Sequence, residues 1–559
     1  MADGVEPSEL SQIRPLISAF EQVLNEALAN TARQTNNGKD IDDFQVHCER
    51  MAYRTTEFRA AQALLTDIEW QWQAGQDTRR PGCIALAYTA TALQRFWSDI
   101  HANLADYGFS ESFIAQMFGV PDLVEAMRTG MAESVFRAIG RAVLETDGIN
   151  NTWLGDELSE LTRQTVRDFT RQEIEPIAER LHRQDDLAPD DLIEKMGDLG
   201  FFAMSIPEVY GGTGMGFPVM IITTEELSRG SLGAAGSLIT RPEILARALL
   251  DGGTEAQKQR WLPRIASGEL MVAVSVTEPD VGSDVASLTC RAEAGTLPAG
   301  GQTGYFIHGA KAWCTFAGRA DLIGLLARTD PDRTQGARGL SLFIIEKERF
   351  YGHEIAITQA HGGTMQGKAD ATLGYRGMHS FTLHYDNFFV PAANLIGEES
   401  GLNRGFYLQM SGFANGRLQT GGRALGLAQV ALEKTVAYVK TRSQFGREIA
   451  AYPLTQYKLG RMATQLAAAR QLTYAAARHM ETQSDRGLGA AMAKLLACDV
   501  AVSITQEGQL LHGGWGYAEE TPISRYVVDA LVLPIFEGVK PILELKVIAR
   551  SLLQSGKPA

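Results

Sequence analysis

The amino-acid sequence predicts an α+β chain in four parts: a helical domain over residues 1–150, a second helical domain over 157–270, a β-barrel or sandwich domain over 271–393, and a helical bundle over 394–559. Three observations predict it. Apolar residues recur at helical spacing on both sides of a central stretch whose period shortens to that of strands. The segment 146–156, TDGINNTWLGD, is rich in Gly, Asn and Asp and reads as a linker. The strands form one block instead of alternating with helices, which excludes a doubly wound sheet.

Taken in order, Ile13, Leu16, Ile17, Phe20, Leu24 and Leu28 mark one face of a first helix, with Pro15 early enough for a first turn. Helical patterns follow over 44–72, 83–104 and 123–144. They return from 157 to 270, interrupted at 205–216 by SIPEVYGGTGMG. No strand precedes these glycines in a βαβ unit, so they are not a dinucleotide fingerprint, and a loop lining a ligand pocket is the better reading. From 271 the segments VAVSVTEP, GYFIHGAKAWCTF, LIGLLART, LSLFIIEKE and FTLHYDNFFV are short, β-branched or aromatic and separated by turn residues. After Asn394 helices run to the end.

Composition bounds the function. A hydrophobic fraction of 45% with 21% charged residues is that of a globular protein, and 559 residues suffice for several cores. The formal charge of −14 repels polyphosphate backbones and anionic lipid, which weighs against nucleic acid or membrane as the main partner. A local basic pocket for a phosphorylated ligand is compatible with that charge. Cys48, Cys83, Cys290, Cys314 and Cys498 are scattered, odd in number and without CxxC pairing, so no disulfide framework or metal site is expected. They read as thiols of a reducing, cytoplasmic compartment. MADGVEPSEL fits neither a signal nor a transit peptide, and no apolar stretch is expected to reach the ~18 residues of a membrane span.

The segment LVLPIFEGVKPILEL places Glu537 alone in an apolar run, followed by Gly538 and a helix start. A carboxylate buried among apolar groups becomes a stronger base, because desolvation disfavours its charged form. The Gly behind it lets the side chain approach a flat cofactor. The structural alternative is a first-turn Glu favoured by the helix dipole. Four further motifs accompany it: VTEPDVGSDVASL (276–288), KAWCTFAG (311–318), RSQFGR (442–447) and LLHGGWGY (510–517). In order and spacing these five resemble the acyl-CoA dehydrogenases over about residues 157–555.

The resemblance implies an FAD enzyme that oxidises the Cα–Cβ bond of a CoA thioester, with Glu537 as the base. It implies Thr277 and Ser283 at the flavin ring and pyrophosphate, Ser283 also toward substrate, Trp313 stacked on the flavin and Thr315 donating to its N5. Gly513 and Gly514 are implied cofactor contacts. Arg442 and Phe445 resemble the pair reaching the adenosine end of FAD in a neighbouring subunit, hence a homodimer or dimer of dimers. Electron-transfer flavoprotein is the implied electron acceptor. On the substrate side, Arg417 matches an arginine near CoA, Gly538 adjoins the base, and Gly416 occupies the position from which some relatives supply a carboxylate. Val539, Pro541 and Leu510 depart from the usual cofactor-contacting residues, with Gln509 one place before the expected glutamine.

Within the family, the N-terminal helical domain together with FEGVKPILELKVIAR resembles the branch converting (2S)-methylsuccinyl-CoA to mesaconyl-CoA in the ethylmalonyl-CoA pathway. A substrate carboxylate needs a cationic pocket. Arg241 in LITRPEIL is the first candidate, Arg376 and His379 in GYRGMHSF are weaker, and Arg229 in SRG is ordinary for the family. Oxidation of another short or branched acyl-CoA, or an acyl-CoA oxidase, is the alternative. A nitroalkane oxidase relative would carry Asp at the base position, and a nucleic-acid-binding relative would need a basic extension.

The first 150 residues also echo the C-terminal helices. Arg50-Met51-Ala52 matches Arg461-Met462-Ala463, Gly108-Phe109 matches Gly516-Tyr517, and Arg141 matches Arg550, at an offset of about 410 residues. They read as a degenerate copy of the bundle, against the alternative that Ala-rich helices align by chance. Arg128 then stands where Glu537 does, so the copy would be structural or replace part of a subunit interface.

Overall fold

Helical periodicity in the first thirty residues becomes the helix Ser8–Gln34, in which Ile13, Leu16, Phe20 and Leu24 are fully buried. The computed structural model describes residues 8–482 and 486–555. Its contacts form two units, one of Met1–Leu161 with Thr420–Ala559 and one of Thr162–Gln419. The N-terminal helices thus share a unit with most of the C-terminal bundle.

In the first unit the helices Gln45–Gln73 and Arg79–Ala102 follow the expected patterns. Two expectations are corrected. Pro15 lies inside its helix, not in the first turn. The pattern over 123–144 is two helices, Pro121–Met131 and Glu133–Glu145, parted at Ala132, whose extended backbone ends the first one. The linker 146–156 joins Glu145 to the helix starting at Glu157, and its Trp153 packs on Trp70 at 4.6 Å. The helix Glu133–Glu145 lies against Pro453–Thr482 at van der Waals backbone distance. A Cβ on Gly140 would sit 1.8 Å from the Gln456 carbonyl oxygen, and one on Gly460 would sit 1.9 Å from that of Phe136. Glycine is required on both sides of this crossing.

The bundle continues with Arg486–His512 and Pro522–Ala530, then a π-wound stretch, Leu543–Ala549, that runs into the last helix, Arg550–Ser555. The expected lack of a membrane-length apolar stretch is corrected at 487–517, which is long and apolar enough to cross a membrane by length and composition. Most of it is buried, which accounts for its apolarity as a core helix of the bundle.

In the second unit helices up to Glu255–Ala266 precede one eight-stranded sheet. Its strands are β1 Val272–Ser275, β2 Arg291–Thr296, β3 Thr303–Thr315, β4 Leu322–Arg328, β5 Leu340–Glu346, β6 Glu354–Thr358, β7 Thr364–Asp370 and β8 Ser380–Pro391. Their order is β1-β4-β2-β3-β8-β7-β6, with β5 beside β4. Leu245, Leu249, Trp261 and Leu262 pack against Val272, Leu322, Leu342 and Ile344 to form the core between helices and sheet. The strands β2, β6 and β7 are additional to the expected ones. RAEAGT, EIAIT and TMQGKAD each bury a single residue, Ala292, Ile355 and Met365, so none carries the apolar run of a buried strand.

Candidate active site

Glu537 sits on the loop between Pro522–Ala530 and the final helices, with φ +54°, followed by Gly538 at +102°. A non-glycine residue in the left-handed region costs about 1–3 kcal/mol and persists where its surroundings over-determine it. The surroundings here are polar. Thr420 Oγ1 donates to Glu537 Oε2 at 2.9 Å, Arg423 Nη2 donates to Glu537 Oε1 at 2.8 Å, and the same Nη2 lies 2.6 Å from Thr420 Oγ1. Arg423 is fully buried, its guanidinium 4.7 Å from the Phe536 ring centre, while the Glu537 side chain keeps 10% of its surface exposed. Lys494 Nζ donates to the Gly538 carbonyl at 2.6 Å. The expectation of an isolated carboxylate in apolar surroundings is therefore corrected: the sequence neighbours are apolar, but a helix more than a hundred residues away supplies a cation and a hydroxyl.

The flavin-resembling motifs of the second unit converge on the end of β3. Register slips against β8 between Lys311 and Cys314, and at this bulge Trp313 adopts φ +58° and leaves 60% of its side chain exposed. A bulge re-aims a side chain in this way. Beside it, Ala312 N–H donates to the Thr277 carbonyl at 2.8 Å, tying the VTEPDVGSD loop to the strand. That loop is anchored by Glu278, buried and accepting from Thr289 N, Thr289 Oγ1, Cys290 N and the fully buried Lys311 Nζ at 2.7–3.0 Å. Burial pushes the Glu278 carboxyl up, but Lys311 and these donors outweigh it and hold it below the usual carboxylate range. Ser283 is exposed on the loop. Thr315 is buried and shares a 2.9 Å hydrogen bond with Ser380. One of the two hydroxyl hydrogens bridges them, and the other is left for a further acceptor.

In the first unit Arg442, Gly513 and Gly514 meet. They line one surface cavity of about 550 Å³ with Tyr438, Gln444 and Leu510. Nothing lies within 4 Å of where a Cβ would stand on Gly513 or Gly514, so backbone is accessible there. Gln509 turns away and donates to Gly516 O at 3.1 Å, while Leu510 is exposed. Phe445 is 96% exposed at the tip of the hairpin 443–448, where it and Gly446 both have positive φ. This is the two-residue turn that matches strand twist. In the second unit an uncovered indole beside neutral hydroxyls suits a flat ring; in the first, open glycine backbone and a cavity-lining arginine suit a phosphorylated group.

The candidate substrate residues separate. Arg241 is 8% exposed, with Nη1 donating to Ser237 O at 3.0 Å and Nη2 to the Tyr375 hydroxyl at 3.1 Å. No carboxylate partners it among the described residues, and it stands second in the helix Thr240–Gly252, at the positive end of the dipole. Arg229 instead pairs at 3.2 Å with Glu226, which also accepts from Nε and Nη2 of Arg167. Arg376 donates to the His182 and Thr372 carbonyls. His379 bonds the Asp185 carbonyl and stacks on His353 at 4.3 Å and 28°. Those two imidazoles and Asp185 have donor atoms within 4.8 Å of one another. Stacked rings, however, direct their in-plane lone pairs side by side instead of toward one point. Arg417 is half-buried on the helix Gly405–Thr441.

Sequence reasoning missed Thr420, Arg423, Lys494 and the Glu278–Lys311 pair. A signal exists for the first two: in GRLQTGGRALG they stand three residues apart in a helix, which puts both on one face.

Residues 10–144 and 403–553 match the profile of the acyl-CoA dehydrogenase C-terminal domain, 156–269 that of the N-terminal domain and 273–388 that of the middle domain. The chain is 40% identical to (2S)-methylsuccinyl-CoA dehydrogenase of Cereibacter sphaeroides over 440 residues, 77% of this chain and 76% of that protein. Among solved structures it resembles butyryl-CoA dehydrogenase from Megasphaera elsdenii, with 29% identity, a TM-score of 0.64 and coverage of 71% of this chain and 98% of that one. It also resembles a glutaryl-CoA dehydrogenase in complex with glutaryl-CoA, with 30% identity, a TM-score of 0.62 and coverage of 69% and 93%.

Proposed function

This chain belongs to the acyl-CoA dehydrogenase family, and we propose that it oxidises (2S)-methylsuccinyl-CoA to mesaconyl-CoA, a step of the ethylmalonyl-CoA pathway. It is a flavin-dependent oxidoreductase with FAD as cofactor and an acyl-CoA as substrate. Bound FAD supplies the hydride acceptor beside the β-carbon. The chain's residues do the rest. The Glu537 carboxylate takes the α-proton, oriented by the Thr420 hydroxyl and the Arg423 guanidinium. Trp313 would stack on the ring, Thr277 and Ser283 would hold its edge and the pyrophosphate, and Thr315, which shares a hydrogen bond with Ser380, would donate to it. Arg442 and Phe445 would reach the adenosine end of FAD in a neighbouring subunit, with Gly513 and Gly514, which line the same cavity as Arg442, as further cofactor contacts. Ser283, Arg417 and Gly538 are the substrate contacts this reading implies.

Arg241 carries the choice of substrate. A buried guanidinium without an anion, at the wrong end of a helix, is costly unless a ligand supplies the missing charge. A free carboxylate on the acyl group does so. Replacing Arg241 by Met is expected to cut kcat/KM for (2S)-methylsuccinyl-CoA by about 100-fold or more while butyryl-CoA oxidation persists. Equal loss on both thioesters would refute the assignment. Glu537→Gln is expected to keep FAD and abolish anaerobic bleaching of the flavin, and wild-type bleaching in that variant would remove Glu537 as the base.

We place the enzyme in the cytoplasm, in keeping with its five free thiols. Electrons pass to an electron-transfer flavoprotein, and faster turnover with oxygen than with ferricenium would make it an oxidase. The bare Phe445 supports a homodimer or dimer of dimers. Residues 1–150 are read as a degenerate copy of the bundle, supported by the shared C-terminal-domain profile and by the exposed Arg128 at the position of Glu537.

A further inference from the structure

The loop that carries Glu537 is gripped at several points by the helix Arg486–His512. Cys498 Sγ reaches the Leu533 carbonyl at 3.4 Å, Lys494 Nζ the Gly538 carbonyl at 2.6 Å, and Asp499 Oδ2 takes the Lys540 ammonium at 2.6 Å. The last grip is shared with the N-terminal helices. The Tyr53 hydroxyl, on Gln45–Gln73, donates to the same Asp499 Oδ2 at 2.9 Å, and the Lys540 ammonium lies 5.1 Å from the centre of the Tyr53 ring. Lys540 also faces Glu544 at 3.8 Å, and its amide N–H closes the loop on the Pro534 carbonyl at 2.9 Å.

We propose that Tyr53 is a positioning residue for Glu537, acting through Asp499 and Lys540, so that the N-terminal helices set the geometry of proton removal. The inference rests on the reading of Glu537 as the base. Glu537 and Gly538 both hold positive φ, a backbone that relaxes unless it is held from both ends. Lys494 holds it at Gly538, and Lys540, two residues on, is the next fixed point. The Lys540 side chain is 34% exposed, so its place depends on competition with water. The Tyr53 hydroxyl fixes the carboxylate that anchors it, and the ring face covers the ammonium. Without Tyr53, Asp499 loses one donor and Lys540 is free to swing outward, which slackens the segment between Lys540 and Glu537. Misplacing a catalytic group by about 1 Å costs on the order of 100-fold in rate.

The test uses the full-length FAD enzyme with (2S)-methylsuccinyl-CoA and ferricenium. Tyr53→Ala and Lys540→Met are expected to lower kcat by about 10- to 100-fold with KM and flavin content unchanged, and to raise the α-deuterium isotope effect on flavin bleaching. Tyr53→Phe, which keeps the ring, is expected to fall between Tyr53→Ala and wild type. The Tyr53→Ala/Lys540→Met double variant should be no slower than either single one, since both cut one chain of contacts. Wild-type kcat and isotope effect in the single variants, or additive losses in the double, would overturn the inference, as would a loss explained by missing flavin. If Tyr53→Ala does not fold, Tyr53→Phe and Lys540→Met decide by the same readings. Glu537→Gln separates the two readings. Full activity there removes the base itself, whereas an inactive Glu537→Gln beside a fully active Tyr53→Ala removes only the role of Tyr53.

Discussion

Glu243 gives a stability prediction whose size follows from its surroundings. It lies 1% exposed in the first turn of the helix Thr240–Gly252, where Ser205, at the head of the glycine-rich loop, offers its backbone N–H at 3.3 Å and its hydroxyl. Burial pushes its carboxyl from 4.5 up to about 8, and the Ser205 N–H opposes this weakly. Below pH 4.5 folded and unfolded chains both hold the proton, and the site costs nothing. As pH rises the unfolded chain releases it first, so stability falls between pH 4.5 and about 8 and then levels off. At 1.36 kcal/mol per pH unit, the loss at pH 7 is on the order of 3 kcal/mol. Glu243→Gln keeps the shape and the hydrogen bonds but cannot ionise. The variant should match wild type near pH 4.5 and gain about 6–12 °C in apparent Tm at neutral pH, at roughly 2–4 °C per kcal/mol for a unit of this size. Thermal melts of the flavin-loaded protein across pH 4.5–8.5 measure it. A pH-independent Tm difference, or a wild type more stable than the variant at neutral pH, would refute the reasoning.

Two further substitutions test the supports of the site. Lys311→Met leaves Glu278 charged and buried without its cation, so it should cost about 3–5 kcal/mol in urea unfolding, and a second change, Glu278→Gln, should recover part of that; unchanged unfolding would show that the pair does not anchor the loop. Gly140→Leu forces apart a crossing whose added Cβ alone would lie 1.8 Å from a carbonyl oxygen, so it should cost at least about 1–3 kcal/mol in thermal unfolding, and an unshifted melt would contradict the packing.

How far the fold is legible in the sequence depends on which residues carry the signal. The helix Ser8–Gln34 is legible because six apolar residues at the right spacing are what the core needs. The strand β7 is not, because TMQGKAD is held by pairing with β6 and β8 and buries little of its own surface. Trp313 can be picked from its motif, but its exposure comes from a slip in register between β3 and β8, which depends on how two distant segments pair. Arg241 stands out in sequence by the Pro that follows it. What makes it informative, burial without an anion, appears when the elements around it are assembled.

Glu537 shows the same division at the centre of the site. Its apolar sequence neighbours suggest a base sharpened by desolvation alone, because local sequence reports the loop and is silent about the helix packed behind it. In space the carboxylate has two partners with different effects. The Arg423 guanidinium, fully buried, has little room to move, so it fixes where the nearer carboxylate oxygen lies and offsets its charge. Thr420, bonded to both, fixes the rotation of the other oxygen. A proton acceptor held at both oxygens on a backbone of positive φ gives up freedom of motion for direction. Such a site depends on the supports of its loop more than on its immediate neighbours, and those supports reach from Lys494 and Asp499 to Tyr53, nearly five hundred residues upstream of the base.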